Sequence, residues 1–148
     1  MDKFINQLKI AFASQYSFAL KAQNFHWNVT GPDFYQYHKL FETIYDEVYG
    51  AIDDFAENIR KVKGYTPASL QRFSTLTAVD DELEVLPAEA MVQELLHDAE
   101  KMQEIMKHLF TQAEGFGENG LSNFLADRQE RHEFYGWWLR ASLKAVMN

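Results

Sequence analysis

Residues 33–64 read DFYQYHKLFETIYDEVYGAIDDFAENIRKVKG. Their apolar members Phe34, Tyr37, Phe41, Ile44, Val48, Ile52, Phe55, Ile59 and Val62 step by threes and fours, which lays them on one stripe of an α-helix. Asp33 offers an N-cap with Gln36 three residues on, and Gly64 offers a stop, so the stretch predicts one long amphipathic helix. The same period runs upstream through Phe4, Leu8, Ala11, Phe18, Ala22 and Phe25 until Thr30-Gly31-Pro32. Downstream, Pro87 opens a third stripe through Val92, Leu95, Ala99, Met102, Met106, Leu109 and Ala113 that stops at Gly115. Asn119 or Ser122 caps a fourth helix expected to reach about Val146. Between the second and third helices, Pro67 to Asp81 is weakly periodic and rich in Ser and Thr. It reads as a crossover carrying one short helix over Pro67 to Phe73. Four helices of about 25 residues, each about 40 Å long, joined by two short links and one long one, predict an all-α four-helix bundle with a ferritin-like connection pattern.

The chain has 148 residues, 47% hydrophobic and 24% charged, which is one domain, residues 1–148, able to bury a core. It has no cysteine, so disulfides, thiolate metal sites and cysteine nucleophiles are excluded and any metal is held by nitrogen and oxygen. With 14 basic against 22 acidic residues the net charge is −8, which repels a phosphate backbone. Neither an export signal nor an eighteen-residue apolar run occurs, so the expectation is a soluble, cytoplasmic protein without a membrane partner.

The helix at 33–64 also carries a second stripe, His38, Glu42, Tyr45, Tyr49, Asp53, Ala56 and Arg60, too polar for a bundle core and too aromatic for plain solvent, and so suited to meeting another chain. Within it, His38 with Glu42 and Asp53 with Glu57 are i, i+4 pairs that can grip Fe(II), Mn(II) or Zn. Asp53 lies fifteen residues past His38, about 22 Å along the axis. One chain therefore cannot bring both pairs to one ion. Two antiparallel copies crossing near Glu47 and Val48 can, twice over, on a two-fold axis. By pattern alone such pairs equally describe a solvated face, and His26 beside Trp27 equally describes a core or capping histidine bonded to a carbonyl. Glu94 and His97 form a single E-x-x-H step without the second copy that a di-iron bundle needs. His108 and His132 read as surface or interhelical polar residues. Trp137 and Trp138 join Leu121, Leu125 and Leu139 in a core or interface stripe. The turn at Gly115 to Gly120 lacks the strand and Lys-Ser/Thr of a phosphate loop.

Taken together, HWNVTGPDFYQYHKLFE at 26–42, DDFAENIR at 53–60, PASL at 67–70 and RHEFYGWWLRA at 131–141 resemble the Dps family of mini-ferritins, in order and over nearly the whole chain. The resemblance implies a hollow homododecamer that stores and detoxifies iron, a ferroxidase oxidising Fe(II) with hydrogen peroxide and depositing ferric mineral inside. It implies di-iron sites across the two-fold interface, with His26 and His38 from one subunit and Asp53 and Glu57 from its partner, and with Trp27 beside them. Zn is a possible substitute for Fe. Glu42 stands where the family usually has Asp, which keeps the charge and adds a methylene. The family's acidic ion-access pore maps to Glu118 and Asp127, with Asn123 in place of an expected Asp. DNA-binding members carry a basic tail, whereas this chain enters its first helix almost at once with only Lys3 and Lys9 and ends at Lys144 to Asn148, so strong DNA binding is not expected. The rival reading is a non-catalytic shell or nucleoid-associated protein whose site binds metal without turnover. A monomeric adaptor bundle is the third.

Overall fold

The computed structural model describes residues 1–143. The C-terminal reach of the last helix to Val146, and the segment Lys144 to Asn148, lie outside the described residues. Six helices follow in order: α1 Asp2–Asn28, α2 Phe34–Gly50, α3 Ile52–Lys61, α4 Leu70–Leu76, α5 Ala88–Gly115 and α6 Asn119–Ser142. The short links α1–α2 and α5–α6 make two antiparallel hairpins, and α1 packs on α2 and α5 while α5 packs most extensively on α6. The crossover from α3 to α5 carries α4, which lies against α1.

The expected second helix is divided. Gly50 ends α2, Ala51 sits at φ −95°, ψ −5°, and helix resumes at Ile52. Ala51 N–H turns to the Val48 carbonyl at 3.0 Å, a tightened i→i−3 turn at the position where glycine weakens the helix. The core stripe passes through regardless, with Val48 and Phe55 both buried. Asp33 does occupy the N-cap of α2, but its side chain makes no capping bond. The crossover helix starts three residues later than expected, because Ser69 caps it by accepting from Arg72 N–H at 3.2 Å.

Two helix ends use the same device with different residues. After α5, Glu118 N–H bonds the Ala113 carbonyl and Gly117 N–H bonds that of Glu114, with Gly117 at φ +72°. After α3, Gly64 N–H bonds the Ile59 carbonyl and Lys63 N–H bonds that of Arg60, with Lys63 at φ +73°. Both are Schellman closures, but in the second the left-handed position belongs to lysine. Gly64 is needed there for room: a Cβ would meet Ile5 Cγ2 at 2.6 Å and Ile59 Cγ2 at 3.1 Å.

The core is built from Phe4, Leu8, Phe18 and Phe25 of α1 with the buried stripes of the other long helices. Along α6 the inward stripe is Leu121, Leu125, Arg128, His132, Tyr135 and Leu139, all buried, so a polar layer interrupts an apolar seam. Arg128 donates to Glu47 Oε2 at 2.7 Å and to Gln15 Oε1 at 3.2 Å. Tyr135 donates to Glu47 Oε1. The Gln15 amide lies 2.8 Å from His132 Nε2. Trp138 is half-buried in this helix, whereas Trp137, expected in the same stripe, is 57% exposed.

Candidate metal centre

His26 stands in the last turn of α1 and His38 in the second turn of α2, on either side of the α1–α2 link. Their rings stack at 3.7 Å with 15° between planes. His26 Nδ1 lies 2.7 Å from the His38 carbonyl, and His38 Nδ1 lies 2.7 Å from the His26 carbonyl. A carbonyl only accepts, so both Nδ1 atoms carry hydrogen, and in the neutral ring each Nε2 then holds a lone pair. Neither Nε2 makes a hydrogen bond among the described residues. This is the orientation that second-sphere carbonyls impose on metal-binding histidines. The carbonyl-bonded histidine expected at a helix end is thus present, and it leaves the ligand atom free. Phe34 stacks on His38 at 4.8 Å and Tyr45 sets its edge to His26 at 5.3 Å, so aromatic walls hold both imidazoles.

Trp27, next in chain, is 62% exposed. Glu42, one turn beyond His38 on α2, is half-buried and has Lys39 Nζ 3.3 Å from its Oε1. Asp53 and Glu57 are exposed on α3, and with Asp54 they bring one carboxylate oxygen each within 4.8 Å of one another. Asp54 had no place in the sequence reading, although it completes an acidic first turn where the helix dipole favours negative charge. A groove beside this cluster is lined by Asp54, Glu57 and Glu118, so one predicted pore residue shares a concavity with a predicted ligand. Asp127 and Asn123 lie exposed on α6. Within one chain, then, His26 is brought to His38 and Asp53 to Glu57, while the two sets stay apart along α2 and α3.

The other candidates lie elsewhere. Glu94 faces Lys21 at 3.8 Å, and burial, more than its acidic neighbours, raises its carboxyl above the usual range. Asp98, 2.8 Å from Lys21, is also raised by burial. His97 and His108 are exposed. His132 is wholly buried, and desolvation with Arg128 nearby depresses it well below an ordinary imidazole. The buried partners Gln15 and Arg128 and the half-buried Glu47 carried no role in a site from sequence, where Glu47 marked only the crossing point. Their signal was the regular spacing of Arg128, His132 and Tyr135 inside a leucine stripe.

A bundle with this crossover, carrying histidines on the first hairpin and carboxylates farther along the same rod, defines a ferritin-like protein, and the ferritin-like domain family matches residues 5–146. The chain is 31% identical over 123 residues to the DNA protection during starvation protein 2 of Bacillus anthracis, covering 83% of this chain and 84% of that one. It is also 31% identical over 142 residues to a low temperature-induced protein of Nostoc, covering 95% and 79%. The crystal structure of a Dps protein from Bacillus brevis superposes with a TM-score of 0.92 at 26% identity, covering 97% and 96%. The chain belongs to the Dps family.

Proposed function

We propose that this protein is a cytoplasmic mini-ferritin that assembles as a hollow homododecamer, oxidises Fe(II) with hydrogen peroxide and deposits ferric mineral inside. The observation that carries the reading is the reciprocal His26–His38 arrangement, which fixes both rings and leaves both Nε2 atoms unbonded. A family relationship alone supplies no such orientation. Iron is the substrate. His26 and His38 hold it from one subunit, the partner subunit's Asp53 and Glu57 hold it from the other, and Glu42 adds a carboxylate on a longer stem. Imidazole nitrogen with carboxylate oxygen suits Fe(II) and stabilises Fe(III) more strongly, which favours loss of an electron. Zn competes for the same donors without redox chemistry.

Two Fe(II) supply two electrons, two protons come from solvent, and one peroxide becomes two waters without releasing hydroxyl radical. Trp27, exposed beside His26, becomes an aromatic wall once a second subunit covers it. Glu118 and Asp127 raise local Fe(II) near the start of α6 by their field. A net charge of −8 argues against strong DNA binding, and no helix among the described residues is long and apolar enough to cross a membrane.

A metal-binding shell without turnover is the second reading, favoured by Lys39 on Glu42. Light-scattering mass followed by Fe(II) and peroxide titration of one sample separates the two. Substituting His26 and His38 together by Ala should leave the shell assembled and abolish fast oxidation; unchanged rates would sink the site assignment.

A further inference from the structure

Asn119 and Gly120 open α6 as the only Asn-Gly pair in the chain. Both are exposed, and the Asn119 carboxamide makes no hydrogen bond among the described residues. Glu118 precedes the helix without a side-chain cap. Of the N–H groups around this end, that of Asn119 bonds the Gly117 carbonyl at 3.1 Å and that of Ser122 bonds the Glu118 carbonyl at 2.9 Å. Gly120 N–H has no acceptor among the described residues, as befits a first-turn donor. A Cβ built on Gly120 would meet nothing within 4 Å, so its nitrogen is open to approach. A free backbone nitrogen thus stands one residue after an uncommitted carboxamide, and glycine puts no side chain in the way of ring closure between them. The other internal asparagines lack this combination. Asn24, Asn28, Asn58 and Asn123 precede Phe25, Val29, Ile59 and Phe124. Asn28 and Asn58 also tie their carboxamides to the Asn24 and Asp54 carbonyls at 3.1 Å and 2.9 Å.

We propose that Asn119 is a self-modification site, whose carboxamide is deamidated in the folded protein through attack by the Gly120 nitrogen. This chemistry does not depend on the ferroxidase reading. Gly120 N gives its proton to solvent hydroxide and bonds to Asn119 Cγ. The Cγ–Nδ2 bond then breaks and ammonia leaves, which closes a five-membered succinimide. Water opens the ring at either carbonyl. Attack at Cγ leaves aspartate, and attack at the main-chain carbonyl leaves isoaspartate, with the chain rerouted through Cβ and Cγ. The net change is one carboxamide and one water to one carboxylate and one ammonium. Helical backbone holds Gly120 N away from Cγ, so the first turn must open. That releases Asn119 N–H from Gly117 and the Ser122 hydroxyl from the Asn119 carbonyl, now 2.9 Å away, a cost within the reach of a fraying helix end. Either product adds one negative charge to a chain of net −8. The charge falls between Glu118 and Gly120, which line one groove with Asp54 and Glu57. Aspartate also suits the start of α6, whose first turn holds no acid, whereas isoaspartate lengthens the main chain and loosens that turn.

The test holds the full-length native protein in mildly alkaline buffer made with heavy-oxygen water and samples it over time. The isotope marks product formed during incubation and not during digestion. Trypsin releases residues 108–128 as one peptide, and fragment ions assign the mass gained when NH is replaced by O to Asn119 or to Asn123. Labelled product should accumulate at Asn119 ahead of every other asparagine, as a mixture of isoaspartate and aspartate, while isoelectric focusing shows a growing acidic band. Gly120→Ala has room for its methyl group and favours helix; with native particle mass it should slow the gain several-fold. Asn119→Gln should leave the peptide unlabelled. No labelled product at Asn119 in the native protein, aspartate without isoaspartate, or an equal rate in Gly120→Ala overturns attack by the Gly120 nitrogen. The isoaspartate criterion is read on the unaltered protein, so it decides the matter even where a variant fails to assemble.

Discussion

His132 is fully buried in the polar layer, and its Nε2 accepts from the Gln15 amide, leaving Nδ1–H without a partner among the described residues. Burial, with Arg128 adding to it, depresses the native pKa well below 6.5. The sign follows by linkage. At pH above about 6.5 the ring is neutral in both states and contributes nothing. As pH falls below that, the unfolded chain takes up a proton that the native fold refuses, so stability declines by up to about 1.4 kcal/mol per pH unit. The surroundings are Gln15 and Phe18 of α1 and Arg128 and Tyr135 of α6. Denaturant unfolding of the unaltered protein and of His132→Gln, between about pH 7.5 and pH 5, should show the difference in stability shifting toward the variant with acid. A pH-independent difference would contradict this account. At the same scale, His26 and His38 were legible as candidates, yet their orientation was not. A spacing of twelve residues says nothing about which ring nitrogen meets a carbonyl, because that depends on how α1 docks on α2.

At the scale of the helix, the α3 terminus offers two substitutions of opposite sign. Lys63 holds the left-handed conformation at φ +73°, which costs an L-residue about 1–2 kcal/mol and glycine nothing. After glycine's greater unfolded-state entropy, Lys63→Gly should stabilise by about 0.5–1 kcal/mol. Gly64→Ala should destabilise by about 1–3 kcal/mol, because its Cβ would press on Ile5 Cγ2 at 2.6 Å. Midpoints of guanidinium unfolding for the two variants should move in opposite directions; movement the same way would show the turn has been misread. The sequence marks the stop at Gly64 correctly but not its cause, since Ile5 is fifty-nine positions away. The break at Ala51 was hidden for a related reason. The hydrophobic period is unbroken through Val48, Ile52 and Phe55, and one tightened turn leaves that stripe in phase.

For the whole molecule, the proposed function makes the site a property of the assembly, because the histidine and carboxylate sets are separated along one rod. Twelve 17.3 kDa chains would scatter as roughly 208 kDa. Complementation tests the sharing directly. One variant lacks both histidines, as His26→Ala with His38→Ala. A second lacks the acids, as Asp53→Asn with Glu57→Gln. Each alone should be inactive. Co-expressed in equal amounts, half the two-fold pairs are mixed and each mixed pair has one intact site, so about a quarter of the oxidation rate should return. No recovery in shells proved mixed by mass spectrometry would mean that each chain builds its site alone.

Helical period, the positions of Gly and Pro, the absence of cysteine and the acid excess were all present in the chain as written, and they determined an all-α bundle with one long crossover and nitrogen and oxygen as the available donors. These are local or additive properties, readable one turn at a time. The tertiary structure decided what depends on two segments meeting: the stacked imidazoles with their exchanged carbonyls, the polar layer of Gln15, Glu47, Arg128 and His132, and the contact of Ile5 with Gly64. Packing couples residues far apart in sequence through distances of a few ångströms, and a one-dimensional pattern does not carry those distances.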